Sequence, residues 1–100
     1  MLDMNDWELL QAYARQRSDQ PFEVLVNRYL DLVYSAGLRQ VRDPQLAEEV
    51  SQAVFILLAR KAGNIPRRAI LPGWLFRTTR FVAAKALRAE QRRQRAFNSR

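Results

Sequence analysis

The chain contains no cysteine and no histidine. Disulfides, thiolate chemistry and the usual zinc sites are therefore excluded, and no metal or cofactor is expected. Long apolar runs are missing as well. The longest charge-free stretch, residues 50–59, is too short to cross a bilayer. The first residues are acidic and amphipathic rather than basic and then apolar, so no secretory signal is read there. The expectation is a soluble, cytoplasmic protein with no membrane partner. Gly63 and Gly73 sit in neither a Walker-type nor a dinucleotide-type spacing, and no nucleophile stands beside a base partner. An enzyme is not expected. Strand-period runs, internal repeats and low-complexity tracts are absent too.

The scarcest group, by position, is the carboxylate of the second half. Residues 1–50 hold five Arg and nine Asp or Glu, whereas residues 51–100 hold twelve Lys or Arg and one acid, Glu90. The net charge of +7 is thus divided into an acidic half and a basic half, which suggests two different partners.

What is present is helical periodicity, enough for one small domain with a modest core. The segment from Asp3 to Asp6 can cap a first helix that begins near Trp7, with Leu10, Tyr13 and Ala14 as its apolar stripe. The segment 18–21 breaks it and starts the next. In residues 22–41, Phe22, Leu25, Val26, Tyr29, Leu32, Val33 and Ala36 share one side and Glu23, Asn27, Asp31 and Ser35 the other. Gly37 costs this helix stability but permits close packing. Asp43-Pro44 then gives a capping carboxylate followed by proline at the first helical position.

In the third helix, to about residue 62, the expected buried stripe is Leu46, Val50, Ala53, Val54 and Leu57. Phe55 and Ile56 fall off it, on the side of Glu48, Glu49 and Gln52. Either this face is a protein docking patch, or Phe55 fills a gap against another helix. Residues 63–73, with two glycines and two prolines, read as a loop. It is either a plain connector or a binding segment in which Asn64, Arg67 and Arg68 meet bases and phosphates.

The fourth helix is expected over residues 71–95. At about 100° per residue, Leu75, Phe76, Val82, Ala83, Ala86, Leu87 and Ala89 fall on one broad side and Arg77, Lys85, Arg88 and Arg92 on the other, with Trp74 and Phe81 among the cations. A single-stranded polyanion could use both residue types, cations on phosphates and rings on bases. Alternatively, the rings turn inward at the helix start or pack under a loop. Residues 96–100 read as a frayed end or the start of a linker.

Asp43, Ala47-Glu48-Glu49, Gln52 and Phe55, then Trp74-Leu75 and a helix ending in Arg88 and a basic cluster, resemble region 2 of bacterial extracytoplasmic-function (ECF) sigma factors, in the sigma-70 family. The likeness runs from about Asp6 through Phe22, Arg28-Tyr29 and Tyr34 to Arg93. It implies an all-α, compact four-helix bundle over residues 1–95, with a Pro/Gly/Arg-rich loop between the third and fourth helices. It implies that core RNA polymerase docks, through the clamp helices of its largest subunit, on Glu48, Glu49, Gln52, Phe55 and Ile56. The non-template strand of the promoter minus-ten element would meet Asn64, Arg67, Arg68, Trp74, Arg77, Arg80, Phe81, Lys85, Arg88 and Arg92. Within that set, the loop would capture a flipped base. An anti-sigma factor is a further partner that the resemblance allows.

The chain departs from the family pattern in several places. Phe81 stands where many relatives have asparagine, and aliphatics such as Leu58 replace an aromatic of the third helix. The minus-35 helix-turn-helix domain that the resemblance would call for is not read in these residues; the expectation is a fragment, the alternative a protein that works without that domain. The competing reading is a basic helical RNA-binding or ribosome-associated protein, which leaves the acidic-apolar patch without a role. A membrane-surface helix ranks last, since the face bearing Trp74 and Phe81 has few large apolar residues.

Overall fold

The computed structural model describes residues 4–98. Four α-helices follow one another: α1 (Asp6–Gln16), α2 (Asp19–Val41), α3 (Pro44–Lys61) and α4 (Leu71–Asn98), with a single 3₁₀ turn (Ala62–Asn64) after α3. The helices expected from the periodicity form, in the all-α bundle that the resemblance implied.

Local chemistry sets the helix ends. Asn5 caps α1 in a reciprocal box: its side chain accepts from the Glu8 N–H at 2.8 Å, and its own N–H donates to Glu8 Oε1 at 3.0 Å. The cap thus falls within the expected segment, with Asp6 as the first helical residue, and Asp3 lies outside the described residues. Asp43 caps α3 as expected, accepting from the Gln45 N–H at 3.0 Å. Helices α1 and α2 end on Arg17 and Arg42, both left-handed, with φ of 54° and 58°. A residue with a β-carbon is strained in that region. Helix α4 begins at Leu71, as the pattern suggested, and ends three residues later than expected. Pro72 and Gly73 form its first turn, where a missing N–H costs little, and it runs to Asn98. Ser99 and Arg100, the rest of the expected frayed end, lie outside the described residues.

The longest-reaching contacts come from α2, which packs against α1, α3 and α4. Leu9, Leu10, Leu25, Val33, Val50, Val54, Leu58 and Leu75 are fully enclosed where these helices meet. At Gly37 the three longer helices approach closely, and an added β-carbon would lie 3.4 Å from a Val50 methyl and 3.8 Å from the Thr79 methyl. That closeness explains one difference from the sequence reading. Thr79 is fully buried while Phe76 is 40% exposed, because the face of α4 against the bundle follows the four-residue row Leu71, Leu75, Thr79, Ala83. A small side chain fits there, and its hydroxyl donates to the Leu75 carbonyl at 2.7 Å. Ser51 on α3 is buried in the same way, bonded to the Ala47 carbonyl at 2.9 Å.

Polar contacts tie α1 to α2. Arg28 pairs with Asp6 at 2.8 Å, and the Tyr29 hydroxyl donates to the other Asp6 oxygen at 2.5 Å. Burial first, then the bond to Asp6 and its negative charge, push the Tyr29 phenol up to about 12, against a smaller opposing effect of Arg28.

Candidate functional site

Helix α3 separates two unlike surfaces. On its α2 side lies a groove of about 630 Å³, floored and walled by Phe22, Val26, Leu30 and Tyr34 of α2 and by Ser51, Phe55, Ile56 and Ala59 of α3, with Asp31, Glu48 and Gln52 as its polar members. Leu30 and Ile56 are 43% and 52% exposed. Large apolar side chains open to water on both walls of one groove, with the only charges negative, suit an amphipathic protein partner.

The expected docking residues divide here. Glu48, Gln52 and Ile56 are exposed and line the groove. Phe55 is not part of an exposed face: it is 8% exposed and belongs to the core. The buried stripe of α3 is broader than expected and shifted toward α2, taking in Ala47, Ser51, Phe55 and Leu58, while Ala53 and Leu57 are only half-buried. Glu49 is exposed but does not line the groove, because one helical step from Glu48 turns it about 100° away. Phe22, placed by the sequence on the apolar side of the second helix, forms the other wall together with Leu30 and Tyr34.

On the α4 side of α3 lies a cleft of about 380 Å³ lined by Leu57, Lys61, Trp74, Arg77, Thr78 and Phe81. The two rings have different fates. Trp74 is half-buried and packs against the core, as the inward alternative held. Phe81 is 63% exposed, with the Lys85 ammonium 5.7 Å from its ring centre. Lys61, which sequence reasoning missed, adds a cation from the end of α3. Arg88 and Arg92 continue along exposed positions of α4. Glu90, the one acid of this half, is partly exposed and engaged by Arg93 and Gln94, whose hydrogen bonds hold its carboxyl below the usual range.

The remaining expected nucleic-acid residues do not converge on that cleft. Asn64 lines a separate cleft of about 370 Å³ with Tyr13, Arg17, Arg60 and Gly63. Arg67 stacks on Trp7 of α1, its guanidinium carbon 5.0 Å from the ring centre, and Ile65 is buried, so the connector is pinned to the bundle at two points. Arg68 is exposed. Arg80 lies on the opposite flank of α4, over Phe76 at 6.0 Å and between α2 and α4. Among the described residues no helix is long and apolar enough to cross a membrane, and no cluster of acidic or metal-ligating side chains could hold an ion.

The family model for Sigma-70 region 2 matches residues 25–93. Curated relatives include proteins described as ECF RNA polymerase sigma factor SigK from Mycobacterium sp. strains KMS and JLS and as RNA polymerase sigma factor SigK from strain MCS. Each is 29% identical over 87 residues, which is 86% of this chain and 45% of the relative. The chain therefore spans somewhat under half the length of the curated relatives it matches. No solved structure gives a significant match.

Proposed function

The chain belongs to the sigma-70 region 2 family, and from that premise we propose that it is a transcription initiation module that joins core RNA polymerase to promoter DNA. In this reading the α2–α3 groove takes the clamp helices of the largest polymerase subunit through Ile56, Gln52, Glu48, Leu30 and the Phe55 floor, with Glu49 on the neighbouring outer face. The basic side takes the non-template strand of the minus-ten element. Trp74 and Phe81 meet bases there, while Arg77, Lys85, Arg88, Arg92 and Lys61 meet phosphates. Asn64 and Arg68 flank the connector that would receive an extruded base, and Arg67 holds that connector in place through Trp7. Arg80 reaches the strand from the other flank of α4.

The observation that supports this reading best is the segregation itself. One helix, α3, has an apolar groove with negative groups on one flank and a cationic cleft with aromatic rings on the other. A protein that only coated RNA has no use for the first. The work required is a shift of equilibrium rather than the making of a bond: extruding a base costs a few kcal/mol, and a site that holds the base outside the stack offsets that cost. No catalytic residue is needed, and the proposed module is not an enzyme.

The test is to measure binding of the purified chain to core polymerase and, separately, to a single-stranded oligonucleotide over a range of salt. Gln52→Ala and Ile56→Arg should weaken polymerase binding and leave oligonucleotide binding intact. Arg77→Ala and Lys85→Ala should do the reverse, each lowering the slope of log affinity against log salt by about 0.7. The reading fails if both pairs of substitutions damage both activities alike while the chain stays folded. Tighter binding to arbitrary RNA than to single-stranded DNA, with no affinity for polymerase, would count for an RNA-binding protein instead.

A further inference from the structure

The far flank of α4 carries a pocket that the preceding assignment uses only for Arg80. It has a volume of about 430 Å³ and is lined by Ala36, Arg39 and Gln40 of α2 and by Phe76 and Arg80 of α4. The Phe76 ring is 40% exposed. The Arg80 guanidinium carbon stands 6.0 Å from that ring's centre, and Arg39 is exposed on the opposite wall. Among the residues that line it there is no carboxylate. Gln40 donates weakly, at 3.4 Å, to the Arg80 carbonyl, so its amide oxygen remains to accept from an exocyclic amine. A flat ring, two guanidiniums and one amide, held between two helices, have the chemistry that a nucleotide would use: the ring for a base face, the cations for a phosphate, the amide for a base edge.

We propose that this α2–α4 pocket is a second base site, taking one unstacked base of the same single strand on Phe76, with its phosphate against Arg39 and Arg80. The inference rests on the nucleic-acid reading of α4 given above. A bare duplex phosphate would use the two arginines and leave an exposed phenylalanine ring in water for no gain. An unstacked base uses both.

The geometry of α4 links the two sites. Phe76 and Phe81 are five residues apart, about 140° around the helix on the outward side, and Arg77 and Arg88 lie on the ridge between them. A strand passing from the α3–α4 cleft to the α2–α4 pocket crosses one helix width, about 10–12 Å, over a row of cations. Helix α4 then acts as a bar over which the strand is draped, with a base turned in on each side.

The experiment uses the full chain and a short oligodeoxyadenylate in which a fluorescent adenine analogue is moved through the positions one at a time. In the unsubstituted chain two positions should be quenched by stacking. Phe81→Ala should abolish one and Phe76→Ala the other, each lowering affinity roughly tenfold. Phe76→Leu keeps the apolar volume and removes the flat face, so it should lose the same quench, with unchanged circular dichroism showing that the fold is intact. Arg39→Ala should weaken binding without abolishing either quench. A single quenched position, or two that both survive Phe76→Leu, overturns the second site while leaving the α3–α4 reading standing. Deoxyadenylate monomer competing as well as the oligonucleotide at equal nucleotide concentration would identify a small-molecule pocket and also overturn it, as would stronger binding to duplex than to single strand. If the unsubstituted chain binds no single strand at all, this proposal and the one it rests on fall together.

Discussion

The guanidinium of Arg67 lies 5.0 Å from the centre of the Trp7 ring, joining the connector between α3 and α4 to the first helix of the chain. A connector rich in proline, glycine and arginine is thereby held in a defined place without regular structure of its own. Trp7 is half-buried, and a cation over a ring open to solvent on one side contributes about 0.5–1 kcal/mol, enough to shift how often the connector lifts by several-fold. Trp7→Leu should raise the rate of tryptic cleavage after Arg67 and Arg68 by a few-fold under conditions where the fold is stable. An unchanged cleavage rate would mean that Ile65 alone anchors the segment.

Phe55 and Ile56 are neighbours with opposite roles. Phe55 is 8% exposed and Ile56 52%. Phe55→Ala should cost about 3–5 kcal/mol of folding stability, as core truncations of that size do, whereas Ile56→Ala should stay within about 0.5 kcal/mol. Urea midpoints for the two variants check this. Phe55 substitutions are accordingly poor probes of docking, because lost binding would follow from lost fold.

Arg42 closes α2 in the left-handed conformation, φ 58°. Glycine there escapes the steric cost, at the expense of a more disordered unfolded chain, so Arg42→Gly should stabilise the protein by up to about 1 kcal/mol. Arg39→Gly, inside the last turn of the same helix, should destabilise it by about 1 kcal/mol. Thermal unfolding of the pair distinguishes the conformational effect from the loss of one positive charge, which both variants share.

Tyr29 sets an alkaline limit. Its phenol is raised from 10.0 to about 12 by burial and by Asp6, so the folded state holds its proton more tightly than the unfolded chain does. The stability that follows is fully present below pH 10 and is lost as pH rises through about 12. Tyr29→Phe removes this component: the variant is weaker at neutral pH for want of the Asp6 hydrogen bond, yet its stability falls less steeply over the alkaline window. Denaturation midpoints across that range, together with tyrosinate absorbance, test both halves of the statement.

How much of this was legible in the chain depends on how local its cause is. The Asp43-Pro44 start, the span of α2 and the role of Gly37 follow from neighbours a few residues away, and periodicity reads those well. Phe55 was left open between an outward patch and a gap-filling place, and Phe76 was put on the inward side, because a helical wheel has no knowledge of where the neighbouring helix stands. The α3 stripe is widened by α2, and the α4 row passes through Thr79 because the close approach at Gly37 admits only a small group. Arg67 on Trp7 and the division of Arg80 from Phe81 join residues far apart in the chain or on opposite flanks of one helix, and no spacing rule encodes them. The charge asymmetry between halves was visible from composition, but which cations share a cleft was not.

From residue 91 onward every described residue of α4 is exposed, in a molecule 55 Å long and about 20 Å across. Those last turns rest on no neighbouring helix, and a helical segment so short is marginal in water by itself. Their backbone amides should therefore trade hydrogen for deuterium far sooner than those around Leu75. The length of this spoke at any instant then becomes a dial, turned by whatever anionic surface lies alongside Arg88 and Arg92.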